Sequence, residues 1–407
     1  MTKSIFMPAK ILLPKDVSME KWSVIACDQF SSEHDYWERV ADFVGDAPST
    51  LKMVIPEAFL EDVDEASAIS SISAAMNDYI NCGVFHEVAD SFIYVERTQP
   101  DGRVRRGVIG TVDLEEYDFA CANAEIIASE GTVLDRLPPR IRVRRNAKLE
   151  LPHIITFVDD IDDLLIGPLA KKAGSLPVLY DFSLMEGGGR IKGMQVTSAD
   201  AENVMKAIAK LRLKNNMLMV VGDGNHSLAA AKLLWNEIKE TLTEEERESH
   251  PARVALVEVN NVYDSAIDFE AIHRIIFDVV PDEFLFAFEK AMMPGNDYVL
   301  HWVAQDKSGE IGIAADCIGD MLVAMQDFID DYASKRGCRI DYIHGEDSTK
   351  MLAKSENCVG IVLPAMEKAE LFATVAASGV FPKKSFSVGH ARDKRYYLEC
   401  RLIASRS

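Results

Sequence analysis

The stretch Met217-Leu-Met-Val-Val-Gly-Asp-Gly-Asn-His-Ser-Leu-Ala-Ala-Ala-Lys232 decides the fold. Five consecutive apolar residues, Met217 to Val221, predict a buried strand. Gly222 and Gly224 are expected to break it, since both tolerate backbone angles that side chains forbid. Leu228, Ala231, Leu234, Trp235 and Ile238 then recur at helical spacing and predict an amphipathic helix, capped by Asn225 or Ser227. A buried strand would thus deliver a tight polar turn to a helix N-terminus, where unpaired N–H groups and the helix dipole favour anions. Asp223 adds a carboxylate suited to binding a metal or taking a hydroxyl proton, and His226 an imidazole that can donate to a phosphoryl oxygen. The alternative is a Gly-Asn turn whose Asp and His only satisfy local hydrogen bonds. The spacing is neither a Walker loop nor a dinucleotide GxGxxG.

Outward from this segment, strand-like and helix-like runs alternate. Phe92–Glu96 and Gly107–Val112 flank Thr98-Gln-Pro-Asp-Gly102, a turn signal. Further strands are expected at 153–158, 178–182, 254–260, 299–303 and 358–363, with helices at 198–213, 228–239, 283–293, 320–335 and 365–376. This alternation predicts an α/β protein of mixed sheets with covering helices, in two intimately packed lobes. The acidic run Asp159-Asp160-Ile161-Asp162-Asp163 precedes a fresh strand–helix series. It places the lobes at 1–165 and 166–407, the first with a basic strand over 136–148 and the second with the Asp-Gly-Asn-His turn.

The 407 residues exceed what one hydrophobic core usually supports. Acidic side chains outnumber basic ones 65 to 44, a formal charge of −21, which repels phosphate polymers and disfavours nucleic-acid partners. No run approaches the roughly 20 apolar residues of a membrane span, and Pro8 and Pro14 arrive too early for a signal-peptide core. Seven scattered cysteines without a CxxC pair suit a reducing compartment, so a cytoplasmic location is expected.

Against this acidic background two basic islands stand out. Arg136, Arg140, Arg142, Arg144, Arg145 and Lys148 lie within thirteen residues, with no acid between Leu137 and Leu149. As a strand, Arg140-Ile-Arg-Val-Arg144 would put three guanidiniums on one face, about 7 Å apart, needing anions between them. Those anions are either a phosphate-bearing ligand or the protein's own carboxylates. The second island, from Lys383 to Arg401, includes Lys384 in a Pro- and Gly-rich loop suited to a phosphate or simply solvated. His273 and Arg274 sit side by side between the islands. No HExxH or His–Cys pair supports zinc, and the acidic run at 159–163 is a magnesium site or a solvated turn.

Several segments carry a resemblance: Ala128–Arg140, Leu151-Pro-His153, Val221–Lys232, Phe269–Arg274, Gly379–Ser385 and Lys394-Arg-Tyr-Tyr-Leu-Glu399. In this order they identify the chain as a member of domain-of-unknown-function family 1015, which brings no established activity. The Asp223–Ala231 run is also similar to the phosphate-binding turn of the ParB/sulfiredoxin-like superfamily, which implies such a core around residues 215–260. That superfamily includes CTP-binding partition proteins, sulfiredoxins and kinases of free serine. Ser227 stands where an Arg is common there, so the Arg136–Arg144 strip is expected to substitute. No counterpart of the sulfiredoxin cysteine and no basic DNA-binding region are present.

The reading is a nucleotide-dependent small-molecule phosphotransferase, using ATP, ADP or CTP with magnesium on a hydroxyl-bearing acceptor such as a free amino acid. Gly222, Gly224, Asn225 and Ser227 would cradle phosphates with His226, and Arg136, Arg140, Arg142, His273, Arg274 and Lys384 would supply charge. Asp223 would be the base or the metal ligand, and Glu130 the alternative base. A non-catalytic nucleotide- or phosphometabolite-binding regulator and a phosphoester hydrolase remain as alternatives.

Overall fold

The structure is a computed structural model that describes residues 4–120, 123–214 and 217–404. Asn215 and Asn216, the first two residues of the expected 215–260 core, lie outside the described residues. The chain forms two compact units. Unit 1 is Met1–Ala128, Thr132–Ile267 and His390–Ser407, and unit 2 is Ser129–Gly131 and Asp268–Gly389.

Unit 1 is built on a ten-stranded mixed sheet. Its path runs Val178–Ser183, Arg190–Gln195, Ile93–Thr98, Val104–Asp113, Val254–Asn261, Ile155–Val158, Met219–Asp223, Ile126–Ala128 and Tyr117–Asp118, with Phe6–Met7 pairing Val104–Asp113. Val254–Asn261 runs parallel to Ile155–Val158, and Met219–Asp223 is antiparallel to Ile155–Val158 but parallel to Ile126–Ala128. The Pro-Asp-Gly turn forms as expected: the Gly102 N–H donates to Gln99 O and the glycine has φ 88°. A boundary at 165/166 is not how the chain divides. Strands on either side of it interleave in this sheet, so separating them would break ladder hydrogen bonds.

Apolar side chains of Met219, Val221, Leu228, Ala231 and Trp235 pack in one buried cluster with Val257 and Val259. The apolar face of the helix Asn225–Lys239 thus lies against the sheet that delivers its turn. The segment from His390 onward threads back into this unit. Trp22 Nε1 donates to Leu398 O, the Ala26 N–H to Arg395 O, and the Tyr397 N–H to Val24 O.

Unit 2 has an antiparallel sheet in the order Lys307–Ile313, Pro294–Ala304, Cys358–Val362, Phe269–Phe277 and Arg339–His344, with Phe386–Val388 pairing Phe269–Phe277. Helices Pro281–Ala291, Ile318–Arg336 and Glu370–Ser378 accompany it. Among the described residues, no helix is long and apolar enough to cross a membrane.

Candidate functional site

The strand Met219–Asp223 starts and ends two residues later than the apolar run suggested, so Gly222 lies inside it. A Cβ at Gly222 would stand 2.1 Å from the Phe157 ring, which is why the strand needs glycine there. Gly224, not Asn225 or Ser227, is the residue preceding the helix. It is left-handed at φ 76° and offers no side-chain cap, while the Ser227 N–H donates back to Gly224 O at 3.0 Å. Asn225 and His226 open the helix itself.

Asp223 ends the strand. Its Oδ1 accepts from the Gly224 N–H at 3.0 Å, and its Oδ2 is buried without a hydrogen bond, 3.4 Å from the Lys394 ammonium. That lysine is itself buried, 7% exposed, so each charge is the other's compensation. His226 Nε2 accepts from the Val133 N–H at 3.2 Å, which leaves the ring proton on Nδ1. Burial, then the guanidiniums of Arg140 and Arg136, push its pKa down to about 4, partly opposed by Asp28. At neutral pH His226 is an uncharged donor.

The expected arginine strand is a helix, Leu137–Asn146. Pro138 and Pro139 fall in its first turn, where a missing N–H costs nothing, and Arg144 and Arg145 in its last turn suit the helix dipole. Helical spacing scatters the guanidiniums that a strand would have aligned. Arg140 pairs with Glu57, Arg142 forks onto Glu65 at 2.7 Å, Arg144 meets Glu150 at 2.5 Å, and Arg145 pairs with Glu237. Arg142 is therefore engaged in an exposed ion pair. Arg136 is exposed and has no carboxylate at ion-pair distance among the described residues.

Two groups complete the neighbourhood that sequence reasoning passed over. Asp28 lies 3.8 Å from the Nε2 of buried His153, and its Oδ1 accepts from Gln29 Nε2 at 3.0 Å. Burial alone would raise the Asp28 carboxyl, but His153, Gln29, Lys394 and Arg140 together hold it below the ordinary carboxylate range. Beside it, burial and the Asp28 charge push the Cys27 thiol up to about 12, so it is not a nucleophile.

Beneath Lys394 lies a buried ionic network. Arg395 Nε meets Glu258 at 2.9 Å and its Nη2 meets Glu399 at 2.6 Å, while Nη1 donates to Pro152 O. Arg105 Nε lies 3.5 Å from the same Glu258, and the Tyr180 hydroxyl donates to Glu399. One guanidinium is thus fixed next to Lys394 in the chain and fastened to the residue preceding His153.

The remaining expected residues belong to unit 2. His273 Nδ1 accepts from the Leu363 N–H at 3.1 Å, and Arg274 Nε donates to Gln326 at 2.8 Å, so both make hydrogen bonds within that unit. Glu130 accepts from the backbone N–H groups of Lys384, Ser385 and Phe386, which removes it as a free base. In the acidic run at 159–163 of unit 1, Asp160 Oδ2 accepts from the Leu165 N–H and Asp159 from the Tyr263 hydroxyl. Among the described residues no three His, Cys, Asp or Glu side chains cluster to hold a metal.

The family model described as "Protein of unknown function (DUF1015)" matches residues 7–379. The chain belongs to the DUF1015 family. No curated protein matches it. Among solved structures, the DUF1015 chain is similar to a free serine kinase in complex with AMP, at 9% identity and TM-score 0.38, over 72% of this chain and 91% of that one. It is similar to SbnI with C-terminal truncation from Staphylococcus aureus, at 10% identity and TM-score 0.37, over 69% and 82%. A conserved hypothetical protein from Pyrococcus furiosus aligns at 11% identity and TM-score 0.36, over 71% and 93%.

In this DUF1015 protein, Leu151–His153 and Lys394–Glu399, which carried the family resemblance, also carry His153, Lys394, Arg395 and Glu399. The signal for these residues was present as segments, without roles. Asp28 had no such signal.

Proposed function

We propose that this DUF1015 protein is a nucleotide-dependent phosphotransferase acting on a small hydroxyl-bearing metabolite, with a free amino acid such as serine as the model acceptor. The observation that carries the reading is one neighbourhood of unit 1 joining Asp28, His153, Asp223, His226 and Lys394 to Arg136 and Arg140. The likeness of the 223–231 run to the phosphate turn of the ParB/sulfiredoxin-like superfamily supports the same assignment.

Nucleotide phosphates would lie at the head of the helix Asn225–Lys239, with the neutral His226 donating from Nδ1 and exposed Arg136 adding charge. Lys394, oriented by Asp223, neutralises charge on the transferred group. The acceptor hydroxyl oxygen forms the new bond to the terminal phosphorus, the bond to the bridging oxygen breaks, and the shortened nucleotide leaves with that electron pair. The acceptor proton goes to Asp28. A carboxylate held ionised is a weak base, which suffices when the transition state is loose and catalysis rests on positioning and charge. Asp223, expected as base or metal ligand, fits the lysine better than a magnesium ion because an ammonium already balances its buried oxygen.

The test is product analysis with ATP, ADP or CTP, magnesium and serine. A phosphorylated acceptor is expected, with Asp28→Asn losing turnover while retaining nucleotide affinity, and Lys394→Met weakening that affinity at least tenfold. Free phosphate formed without an acceptor would make the protein a hydrolase, and saturable binding without product would make it a nucleotide-binding regulator. Full turnover in Asp28→Asn refutes the base.

A further inference from the structure

Ser129–Gly131, the three residues that join unit 2, carry a carboxylate held by backbone. Glu130 Oε1 accepts from the N–H groups of Ser385 at 2.9 Å and Phe386 at 3.3 Å, and Oε2 from that of Lys384 at 3.2 Å. Three consecutive amides converge where Lys384 adopts a left-handed φ of 55°. Successive amides arranged this way form a concave anion-binding nest. The segment is pinned on both flanks, the Phe381 N–H donating to Ser129 O at 2.7 Å and the Gly131 N–H to Phe381 O at 2.9 Å.

Two cations share one aromatic ring in the same unit. The Arg274 guanidinium is 4.6 Å from the Tyr342 centroid and the Lys384 ammonium 5.0 Å from it. Arg274 is 0% exposed, and its Nη2 is buried and donates to nothing. A fully buried guanidinium with an unused donor is costly unless an anion is at hand. The one beside it is a poor match: burial raises the Glu130 carboxyl above its ordinary range although three amides and Arg274 favour the charged form.

We propose that the 384–386 amides, with Lys384 and Arg274, form an oxyanion site of unit 2 that takes inorganic phosphate or a phosphate monoester, with Glu130 as the built-in occupant that the ligand displaces. A phosphate dianion brings twice the charge and an extra acceptor oxygen to the same three donors, which favours it over a carboxylate. Displacement releases the Glu130 side chain alone, since the backbone hydrogen bonds to Phe381 still hold residues 129–131. The site does not depend on the phosphotransferase reading, which fails by absence of product and leaves this one standing.

Inorganic phosphate titrated calorimetrically into the full chain tests it. Glu130→Ala is expected to bind phosphate at least tenfold more tightly than the unaltered protein, because the competitor is gone. The gain should disappear in Glu130→Ala/Arg274→Met and persist in Glu130→Ala/Lys394→Met, which removes the lysine of the unit 1 turn. No gain in Glu130→Ala, or a gain lost with Lys394→Met, overturns the proposal. If Glu130→Ala folds poorly, its melting temperature is the readout: phosphate should restore it and chloride at equal ionic strength should not. Equal recovery in both salts overturns the proposal as well.

Discussion

The arginines of the helix Leu137–Asn146 and those behind Lys394 are all matched with carboxylates, and there the likeness ends. Arg142 and Glu65 are each 46% exposed, whereas Arg395, Glu258 and Glu399 are at most 2% exposed. Water already screens the first pair, so its loss changes little. The second set has given up its hydration and depends on every partner being present. A basic run in a sequence is therefore a poor guide to where charge matters: Arg140, Arg142, Arg144 and Arg145 disperse into separate ion pairs, while a single arginine in the last tenth of the chain anchors the candidate site.

The sharpest way to break this contrast is Glu258→Ala. It takes from buried Arg105 its carboxylate and leaves Arg395 with Glu399 alone, and should cost about 3–5 kcal/mol in denaturant unfolding. A loss below about 1 kcal/mol would put the buried network on a par with the surface pairs. Next is Gly222→Ala, which forces a methyl into the Phe157 ring beneath the turn and should cost about 1–3 kcal/mol by the same measurement.

His226 gives a pH signature. Its folded pKa of about 4 lies below the ordinary 6.5, so between those values the unfolded chain binds a proton that the folded chain refuses. Stability should decline as pH falls through that window and the decline should be shallower in His226→Gln. An NMR titration of the imidazole with a midpoint near 6.5 would refute the buried, arginine-flanked setting. At the small end, Arg142→Ala should change stability by about 0–1 kcal/mol and leave nucleotide affinity untouched, measured by melting and by titration.

What was legible in the sequence follows from how far each signal reaches along the chain. Met217–Ile238 was readable because a buried strand and an amphipathic helix announce themselves by hydrophobic periodicity within twenty residues. The Pro-Asp-Gly turn was readable for the same local reason. Arg140-Ile-Arg-Val-Arg144 misled because alternating charge is not alternating burial, and the better signal was Pro138-Pro139 at a helix start. Asp28, His153 and Lys394 meet only because of the order in which strands and the returning C-terminal segment assemble, which no spacing rule encodes. The division at 267/268 and 389/390 was hidden likewise, since only the sheet order reveals which strands belong together.

The return of the chain to unit 1 at His390 also has a consequence for biosynthesis. Lys394, Arg395 and Glu399 are synthesised after every strand of the ten-stranded sheet, so that sheet's whole sequence exists before the pocket around Asp223 gains its ammonium. Until then Glu258 and Asp223 sit on nascent strands lacking those partners, and a prematurely terminated product would carry mismatched acidic charge. Truncation before Lys394 should thus yield chains that quality-control proteases clear, rather than shortened proteins with partial activity.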